Sequence, residues 1–177
     1  MKRFIIAVSV VVLVFAVGLQ AQTSAPKPGP EHKRVEIFVG HWTYVGEYIA
    51  GPLGPGSKVT GEYTGQMILG GFFFQGQWVE KGPSGEVRGV ETFGYDPVTK
   101  SYAQSQYQDD GSIGSGAYTD HGNIWNYTGT WLLGGKRYMV RMTITFATDL
   151  MSITGKGEIS ADGNSWAPFV DLKYTKA

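Results

Sequence analysis

The stretch Lys136-Arg137-Tyr138-Met139-Val140-Arg141-Met142-Thr143-Ile144-Thr145-Phe146-Ala147 decides the fold class. Apolar residues occupy every second position from Tyr138 to Phe146, and arginine or threonine fills most positions between them. Because successive side chains of a β-strand point to opposite faces, this alternation predicts a strand with one apolar and one polar face. An amphipathic helix would instead need apolar residues three or four positions apart.

The same alternation recurs along most of the chain. It is clear in residues 58–69, where the apolar face runs from Val59 to Leu69, and in residues 123–131. Near the C-terminus, the alternation predicts a strand with one apolar face, made of Trp166, Pro168, Val170, Leu172 and Tyr174. Turn sequences separate these segments, among them Gly70-Gly71, Asp109-Asp110-Gly111 and Gly134-Gly135. Such pairs supply the positive φ of tight hairpins, and nine turns predict ten strands that pair antiparallel in sequence order.

A meander of this length is expected to close on itself, because closure removes the exposed edges of the sheet. The predicted fold is therefore all-β: an up-and-down antiparallel barrel of about ten strands. Residues 31–39 predict a short helical turn before it, with Val35, Phe38 and Val39 on one face and Gly40 as a stop. The apolar faces are expected to point inward. An outer-membrane barrel would turn them to lipid, but this chain has no terminal aromatic residue and has glycines on those faces.

The first residues have the layout of a secretory signal peptide. Lys2 and Arg3 precede an apolar run from Phe4 to Val17, and small or polar residues follow up to Ala21. An uncleaved anchor is the alternative, although the run is shorter than the roughly 20 residues that span a bilayer. We therefore expect a signal peptide at residues 1–21, a Pro-rich linker at 22–30, and a single barrel domain at 31–177. The domain is expected to be exported, either periplasmic or secreted, without stable membrane insertion after cleavage.

Composition excludes several function classes. The 177 residues contain 15 Lys+Arg and 15 Asp+Glu, so no cationic field is available for nucleic acid. The absence of Cys excludes disulfides, thiolate metal sites and thiol nucleophiles. The three histidines, His32, His41 and His121, lack the spacing of metal ligands. We expect neither a metal nor a cofactor, and the oligomeric state is left open.

The apolar faces mix aromatic residues with glycines, and two interpretations follow. Glycines leave room for a small ligand inside a barrel of this size. Alternatively, the aromatic rings fill the barrel and the glycines relieve strand coiling. If a cavity exists, its candidate ligand-binding residues are Tyr63, Met67, Phe72, Phe74, Trp78, Gln104, Gln106, Trp125, Tyr127, Tyr138 and Met142.

The segment from Tyr102 to Gln108 has no properly apolar face. Gln104, Gln106 and Gln108 share a face with Tyr102, opposite Ala103, Ser105 and Tyr107. Either this strand borders a wet cavity, or the barrel is open here. We predict that Gln104 or Gln106 points inward.

Gly40-His41-Trp42 resembles the Gly-x-Trp signature of calycin-type barrels, which include lipocalins and fatty-acid-binding proteins. In those proteins the Trp packs at the closed end of the barrel, beneath an Arg from late in the chain. This chain offers only Lys173 and Lys176 there, so the resemblance assigns a structural role to Gly40 and Trp42 alone. The nitrobindin group of ten-stranded barrels binds haem through a late His, which this chain lacks after His121.

Three further motifs are similar to domain of unknown function family 1579, in matching order over about residues 31–176. They are Leu69-Gly70-Gly71-Phe72-Phe73, Gly94-Tyr95-Asp96-Pro97 and Asp109-Asp110-Gly111. This resemblance implies a lipocalin-like barrel and no established activity.

The sequence therefore favours a barrel that binds a small apolar or aromatic ligand. An enzyme that uses the same cavity is one alternative, and it requires an inward titratable residue. The candidates for such a residue are His41, Glu47, Glu80 and Glu91. The other alternative is a surface recognition module that meets sugar or protein partners through exposed Trp and Tyr.

Overall fold

A computed structural model describes residues 26–177 of the chain. The predicted signal peptide and residues 22–25 of the predicted linker lie outside the described residues. Residues 26–29 have no regular secondary structure, and helix α1 spans Pro30–Arg34. Pro30 suits the first helical position, where its missing N–H group leaves no hydrogen bond unmade. A 3-10 turn, Val35–Phe38, continues the helix and buries Val35 and Phe38, which confirms the predicted helical turn.

Ten strands follow and close into a barrel. Each strand pairs antiparallel with its neighbours in sequence, and the first strand pairs with the last. The predicted up-and-down barrel of ten strands is confirmed. The strands are β1 (Gly40–Tyr48), β2 (Ser57–Ile68), β3 (Phe73–Gly82), β4 (Gly85–Asp96), β5 (Ser101–Gln108), β6 (Ile113–His121), β7 (Ile124–Leu133), β8 (Lys136–Phe146), β9 (Ser152–Ser160) and β10 (Ala167–Lys176).

The apolar faces of the strands point into the barrel. In β8, Tyr138, Val140 and Phe146 are buried, whereas Arg137 and Arg141 are exposed on the outer surface. The strand that decided the fold class therefore has the predicted faces.

Two predictions about individual faces were wrong. Leu69 does not belong to the apolar face of β2. The chain leaves the sheet after Ile68 and turns at Leu69, which has a φ of 50° and a side chain that is 72% exposed. In β10 a bulge shifts the register between Pro168 and Val170, so Phe169 and Val170 are both buried and Pro168 is exposed. An extra residue in a strand reverses the face of every residue before it.

The helical segment closes one end of the barrel. The Phe38 ring lies among the rings of Trp125 and Phe146, with centroid distances of 5.0 and 4.9 Å. Arg34 Nε and Nη2 bind the two carboxylate oxygens of Asp120 at 2.6 and 2.9 Å. These contacts attach the segment to the ends of β6, β7 and β8.

Two clusters of buried side chains lie along the barrel axis. The first, at the closed end, includes Phe38, Trp42, Phe74, Phe93 and Trp125. The second lies toward the opposite end and includes Tyr44, Tyr127, Tyr138, Phe169 and Leu172. A cavity separates part of one cluster from the other.

Candidate functional site

The cavity inside the barrel has a volume of about 150 Å³. Aromatic side chains form most of its wall, and four aliphatic residues complete the apolar part. The polar part of the wall consists of Glu80, Glu91, Gln106 and Gln108. The aromatic residues are Phe38, Trp42, Tyr44, Tyr48, Tyr63, Trp78, Tyr118, Trp131 and Tyr174, and the aliphatic ones are Met142, Ile144, Ile153 and Leu172.

Glu80 lies near the end of β3, at the end of the barrel opposite α1. Its two carboxylate oxygens accept hydrogen bonds from two tyrosines of β1. Tyr48 Oη donates to Oε1 at 3.0 Å, and Tyr44 Oη donates to Oε2 at 3.1 Å. Because Tyr44 and Tyr48 both belong to the inward face of β1, the alternation of that strand places both hydroxyls on one carboxylate.

Glu91 lies deeper, in the middle of β4. Tyr63 Oη donates to its Oε1 at 2.7 Å, and Gln104 Nε2 donates to its Oε2 at 2.9 Å. Gln104 Nε2 also lies 3.2 Å from Gln106 Oε1. Strands β2, β4 and β5 therefore contribute side chains to one hydrogen-bonded group inside the barrel.

The two carboxylates occupy different levels of the barrel. Val87 is the β4 residue opposite Glu80, and Glu91 lies four residues further along β4, opposite Gly76. At about 3.3 Å per residue, their backbone positions are about 13 Å apart along the strands. The two carboxylates are thus separate polar sites on the cavity wall.

Burial raises the pKa of both carboxyl groups. For Glu80, desolvation raises the pKa, and the hydrogen bonds from Tyr48 and Tyr44 lower it by a smaller amount. For Glu91, desolvation again outweighs the hydrogen bonds from Tyr63 and Gln104. Burial likewise raises the pKa of the Tyr63 phenol, so this hydroxyl stays a donor at neutral pH.

The inward glycines make room for aromatic rings on the barrel wall. A Cβ atom at Gly61, Gly76 or Gly89 would overlap with the ring of Tyr44, Tyr63 or Trp78, respectively. Each of these rings comes from a neighbouring strand and leans over the glycine. The glycines thus accommodate the rings that fill most of the interior, and a small cavity remains between those rings.

The predicted site residues divide into three groups. Tyr63, Trp78, Gln106 and Met142 line the cavity. A second group is packed in the two buried clusters: Phe74 and Trp125 in the cluster at the closed end, with Met67 against it, and Tyr127 and Tyr138 in the other cluster. Gln104 is buried behind Glu91. The inward position of Gln104 and Gln106 is thus confirmed.

The prediction that Phe72 lines the cavity is wrong, because Phe72 lies outside the barrel interior. It follows a 3-10 turn, Leu69–Gly71, rather than belonging to β3. Its ring makes an edge contact with His32 of α1, at a centroid distance of 5.1 Å. Phe72 therefore helps to hold the helical segment and does not form part of the cavity wall.

Two of the four acid or base candidates face the cavity, and two do not. Glu80 and Glu91 line it. His41 is exposed and contacts Thr64 Oγ1 through Nδ1, while Glu47 binds Lys58 on the outer surface at 2.8 Å. Among the described residues, the wall contains no Ser, Thr, Cys, Lys or His.

The outer surface of residues 26–177 presents no exposed Trp, and Tyr107 is its one exposed tyrosine. A groove of about 500 Å³ crosses the outer faces of β7 to β10. Its charged residues pair with each other, as Arg141 does with Glu158 and Lys156 with Asp171. These observations give little support to a recognition surface built on aromatic residues.

Sequence reasoning missed several cavity residues. Tyr44 and Tyr48 lie on the same face of β1 as Trp42, and the two-residue period of that strand was the signal that pointed to them. Tyr174 was placed on an apolar face but was not proposed as a cavity residue, and neither was Trp131, at the end of the alternating segment 123–131. Phe38 was assigned only to the helical turn, and no local signal shows that its ring reaches the cavity.

The Gly40-x-Trp42 signature has the expected structural role and a lysine partner. Trp42 is buried at the closed end, and its Nε1 donates to the Phe38 carbonyl at 3.1 Å. The Lys176 ammonium lies 5.1 Å from the centre of the Trp42 ring, where the calycin pattern expects an arginine. Gly40 has a φ of 132°, and a Cβ there would lie 2.9 Å from Lys176 Cε.

A family model described as "Protein of unknown function (DUF1579)" matches residues 27–176. The chain belongs to this family. The match spans the helical segment and all ten strands of the DUF1579 barrel. No protein with a curated description matches the sequence.

Solved structures with the same fold have little sequence identity to this DUF1579 chain. Rv2717c from M. tuberculosis is similar with a TM-score of 0.63 and 12% identity, over 84% of this chain and 98% of that one. The S-type phycobiliprotein lyase CPES from Guillardia theta has a TM-score of 0.55 and 10% identity, over 85% and 98% of the two chains. These similarities establish a lipocalin-like barrel fold. Within residues 26–177, no helix has both the length and the apolar character that crossing a membrane requires.

Proposed function

We propose that this DUF1579 barrel binds a small apolar or aromatic molecule in its internal cavity. The observation that carries the proposal is the cavity of about 150 Å³, walled mainly by aromatic rings. Protein interiors are close-packed and contain few voids larger than a water molecule. At about 30 Å³ per water, this cavity has room for roughly five.

The size of the cavity supports a ligand smaller than those of most binding sites. Pockets for drug-sized ligands commonly enclose about 300–1,000 Å³. The fold shared with a phycobiliprotein lyase adds support at the level of architecture alone. The ligand class proposed here is therefore a compact molecule with a ring or a branched apolar body.

Export of the domain is a second part of the proposal, and it rests on residues 1–21 alone. Their charged start, apolar run and small residues near Ala21 support a cleaved signal peptide. Cell fractionation of the full chain, with N-terminal sequencing of the mature protein, tests it. Recovery of the full-length chain in the cytoplasm would overturn this part.

Native mass spectrometry of protein purified without denaturation tests ligand binding. We expect a fraction of the protein to carry a molecule of defined small mass. The variant Ile144→Phe adds volume at the cavity wall and should lose this molecule. Thr143→Phe, the control, introduces the same side chain on the exposed face of β8 and should keep the molecule. A barrel that is empty in every preparation and binds no aromatic probe would contradict the proposal.

A further inference from the structure

We infer that the ligand of this cavity is an organic cation, with an ammonium or other protonated nitrogen on an apolar or aromatic body. This inference rests on the proposed ligand-binding function and specifies the class of ligand. It is carried by the charge of the wall, by the hydrogen bonds around each carboxylate and by an acceptor that lacks a partner.

The wall carries negative groups and no positive ones. Glu80 and Glu91 face the cavity, and no Lys, Arg or His lines it among the described residues. The ion pairs of the described chain lie elsewhere, at the closed end or on the outer surface. They are Arg34–Asp120, Lys58–Glu47, Arg88–Glu86, Arg141–Glu158 and Lys156–Asp171. Neither cavity carboxylate therefore has a counter-ion from the protein.

The hydrogen bonds to these carboxylates hold them without neutralising them. All four oxygens accept from uncharged donors: Tyr44 and Tyr48 on Glu80, and Tyr63 and Gln104 on Glu91. A buried charge is costly when it is hydrogen-bonded but unpaired. Burial accordingly raises the pKa of both carboxyl groups. A cation that enters the cavity supplies the missing positive charge, whereas an anion would be repelled.

The aromatic wall is suited to the same ligand. The faces of Trp and Tyr rings carry negative potential and attract ammonium groups, and aromatic cages recognise quaternary ammonium ligands in this way. Tyr44 and Tyr174 lie 4.8 Å apart, and the ring of Tyr63 meets Tyr174 edge-on at 6.4 Å. The rings thus form adjoining walls between the levels of Glu80 and Glu91. A neutral aromatic molecule would use the rings and leave the carboxylates unpaired.

Gln104 provides an independent observation. Its side chain is only 4% exposed, and its Oε1 has no hydrogen-bond partner. The reverse orientation of the amide would set this oxygen against Glu91 Oε2, another acceptor. A buried acceptor without a donor is costly, and the site around Glu91 therefore lacks a donor. Gln104 does not line the cavity, so its free oxygen marks an excess of acceptors around Glu91 and is not itself a ligand contact. An ammonium group that binds Glu91 provides only donors and reduces this excess.

Two matched ligand pairs test the inference by isothermal titration calorimetry on the purified protein. Benzylamine is compared with benzyl alcohol, and choline with 3,3-dimethylbutan-1-ol, so that each pair differs chiefly in its charge. We expect each cation to bind at least about tenfold more tightly than its neutral partner, which equals about 1.4 kcal/mol. This comparison uses the unmodified protein and does not depend on the folding of any variant.

Substitutions then locate the charge that is responsible. The ammonium of benzylamine can pair with one of the two carboxylates, so either Glu80→Gln or Glu91→Gln should weaken benzylamine binding by about tenfold or more, with little effect on benzyl alcohol. If neither variant weakens benzylamine binding, the inference is wrong. Glu62→Gln removes the same charge from the exposed face of β2 and should leave both affinities unchanged. If benzyl alcohol binds as tightly as benzylamine, or if Glu62→Gln weakens the cation as much as Glu91→Gln, the inference is wrong and the proposed function stands. If neither probe pair binds, the inference is wrong, and a co-purified neutral molecule would still support the proposed function.

Discussion

Replacing Phe38 with alanine tests whether the helical segment is part of the folded barrel. Phe38 is 8% exposed and belongs to the cluster at the closed end. Its ring makes edge contacts with Phe93, Trp125 and Phe146, at centroid distances of 5.4, 5.0 and 4.9 Å. Phe38→Ala removes all three contacts at once.

The size of the effect follows from burial and from the cavity. Phe→Ala in a packed core costs about 3–5 kcal/mol, and the higher values occur where the surroundings do not collapse. Phe38 already borders the internal cavity, so its removal enlarges a space that rigid rings keep open. We therefore expect a loss of about 4 kcal/mol in the free energy of unfolding. In a domain of this size that corresponds to a fall in Tm of about 8 to 16 °C.

Urea denaturation followed by tryptophan fluorescence measures this loss. Phe73→Ala is the matched control, because the same substitution is made at a side chain that is 44% exposed. The control should cost about 1 kcal/mol or less. If Phe38→Ala costs no more than Phe73→Ala, the helical segment contributes little to the fold, and the description of the closed end is wrong.

Three further predictions concern the wall, the buried carboxyl and the closed end. Gly76→Ala should lower the free energy of unfolding, measured by urea denaturation, by about 1–3 kcal/mol, because the added Cβ would overlap with the Tyr63 ring. The control Gly51→Ala should change it by about 0.5 kcal/mol or less. Equal effects of the two variants would contradict the close packing of the Tyr63 ring on Gly76. Burial raises the pKa of Glu91 in the folded state above its ordinary value of 4.5, so the folded state binds more protons than the unfolded state, and stability falls as pH rises from about 4.5 through the raised pKa. Unfolding free energies from about pH 4 to pH 8 should show this fall in the wild type and a smaller one in Glu91→Gln, and parallel curves would oppose the assignment. Arg34→Ala should lower the free energy of unfolding by about 1 kcal/mol, because it removes the bidentate ion pair with Asp120. Lys33→Ala, at an exposed site, should leave the free energy of unfolding unchanged. Amide hydrogen exchange in the 3-10 turn should likewise become faster in Arg34→Ala and not in Lys33→Ala.

The barrel was predictable from the sequence because its signals are local. The alternation in β8 and the glycine-rich turns each depend on a few adjacent residues. The errors arose where pairing decides the outcome. The bulge before Val170 depends on how β10 meets β9, and the exposure of Leu69 depends on where β2 ends.

The cavity was only partly predictable, because it depends on contacts between strands. Alternation placed Glu80 and Glu91 among the candidates for inward residues, and the structure confirms that position. Whether the interior is open or packed depends on how rings such as Tyr63 and Trp78 lean over glycines of the next strand. The tyrosine partners of Glu80 come from β1, which precedes it by more than thirty residues. The lysine above Trp42 lies at the other end of the chain, where the sequence pattern called for an arginine.

The central claim is that a small molecule binds inside the barrel, and methyl NMR during a benzylamine titration tests it most directly. Ile144, Ile153, Leu172 and Met142 line the cavity, whereas Val45 and Val98 are exposed on the outside. Saturable shifts of the cavity methyl signals, with the signals of Val45 and Val98 unchanged, are the expected result. Shifts confined to the outer methyl groups, or no shifts at any concentration of benzylamine or benzyl alcohol, would contradict the claim.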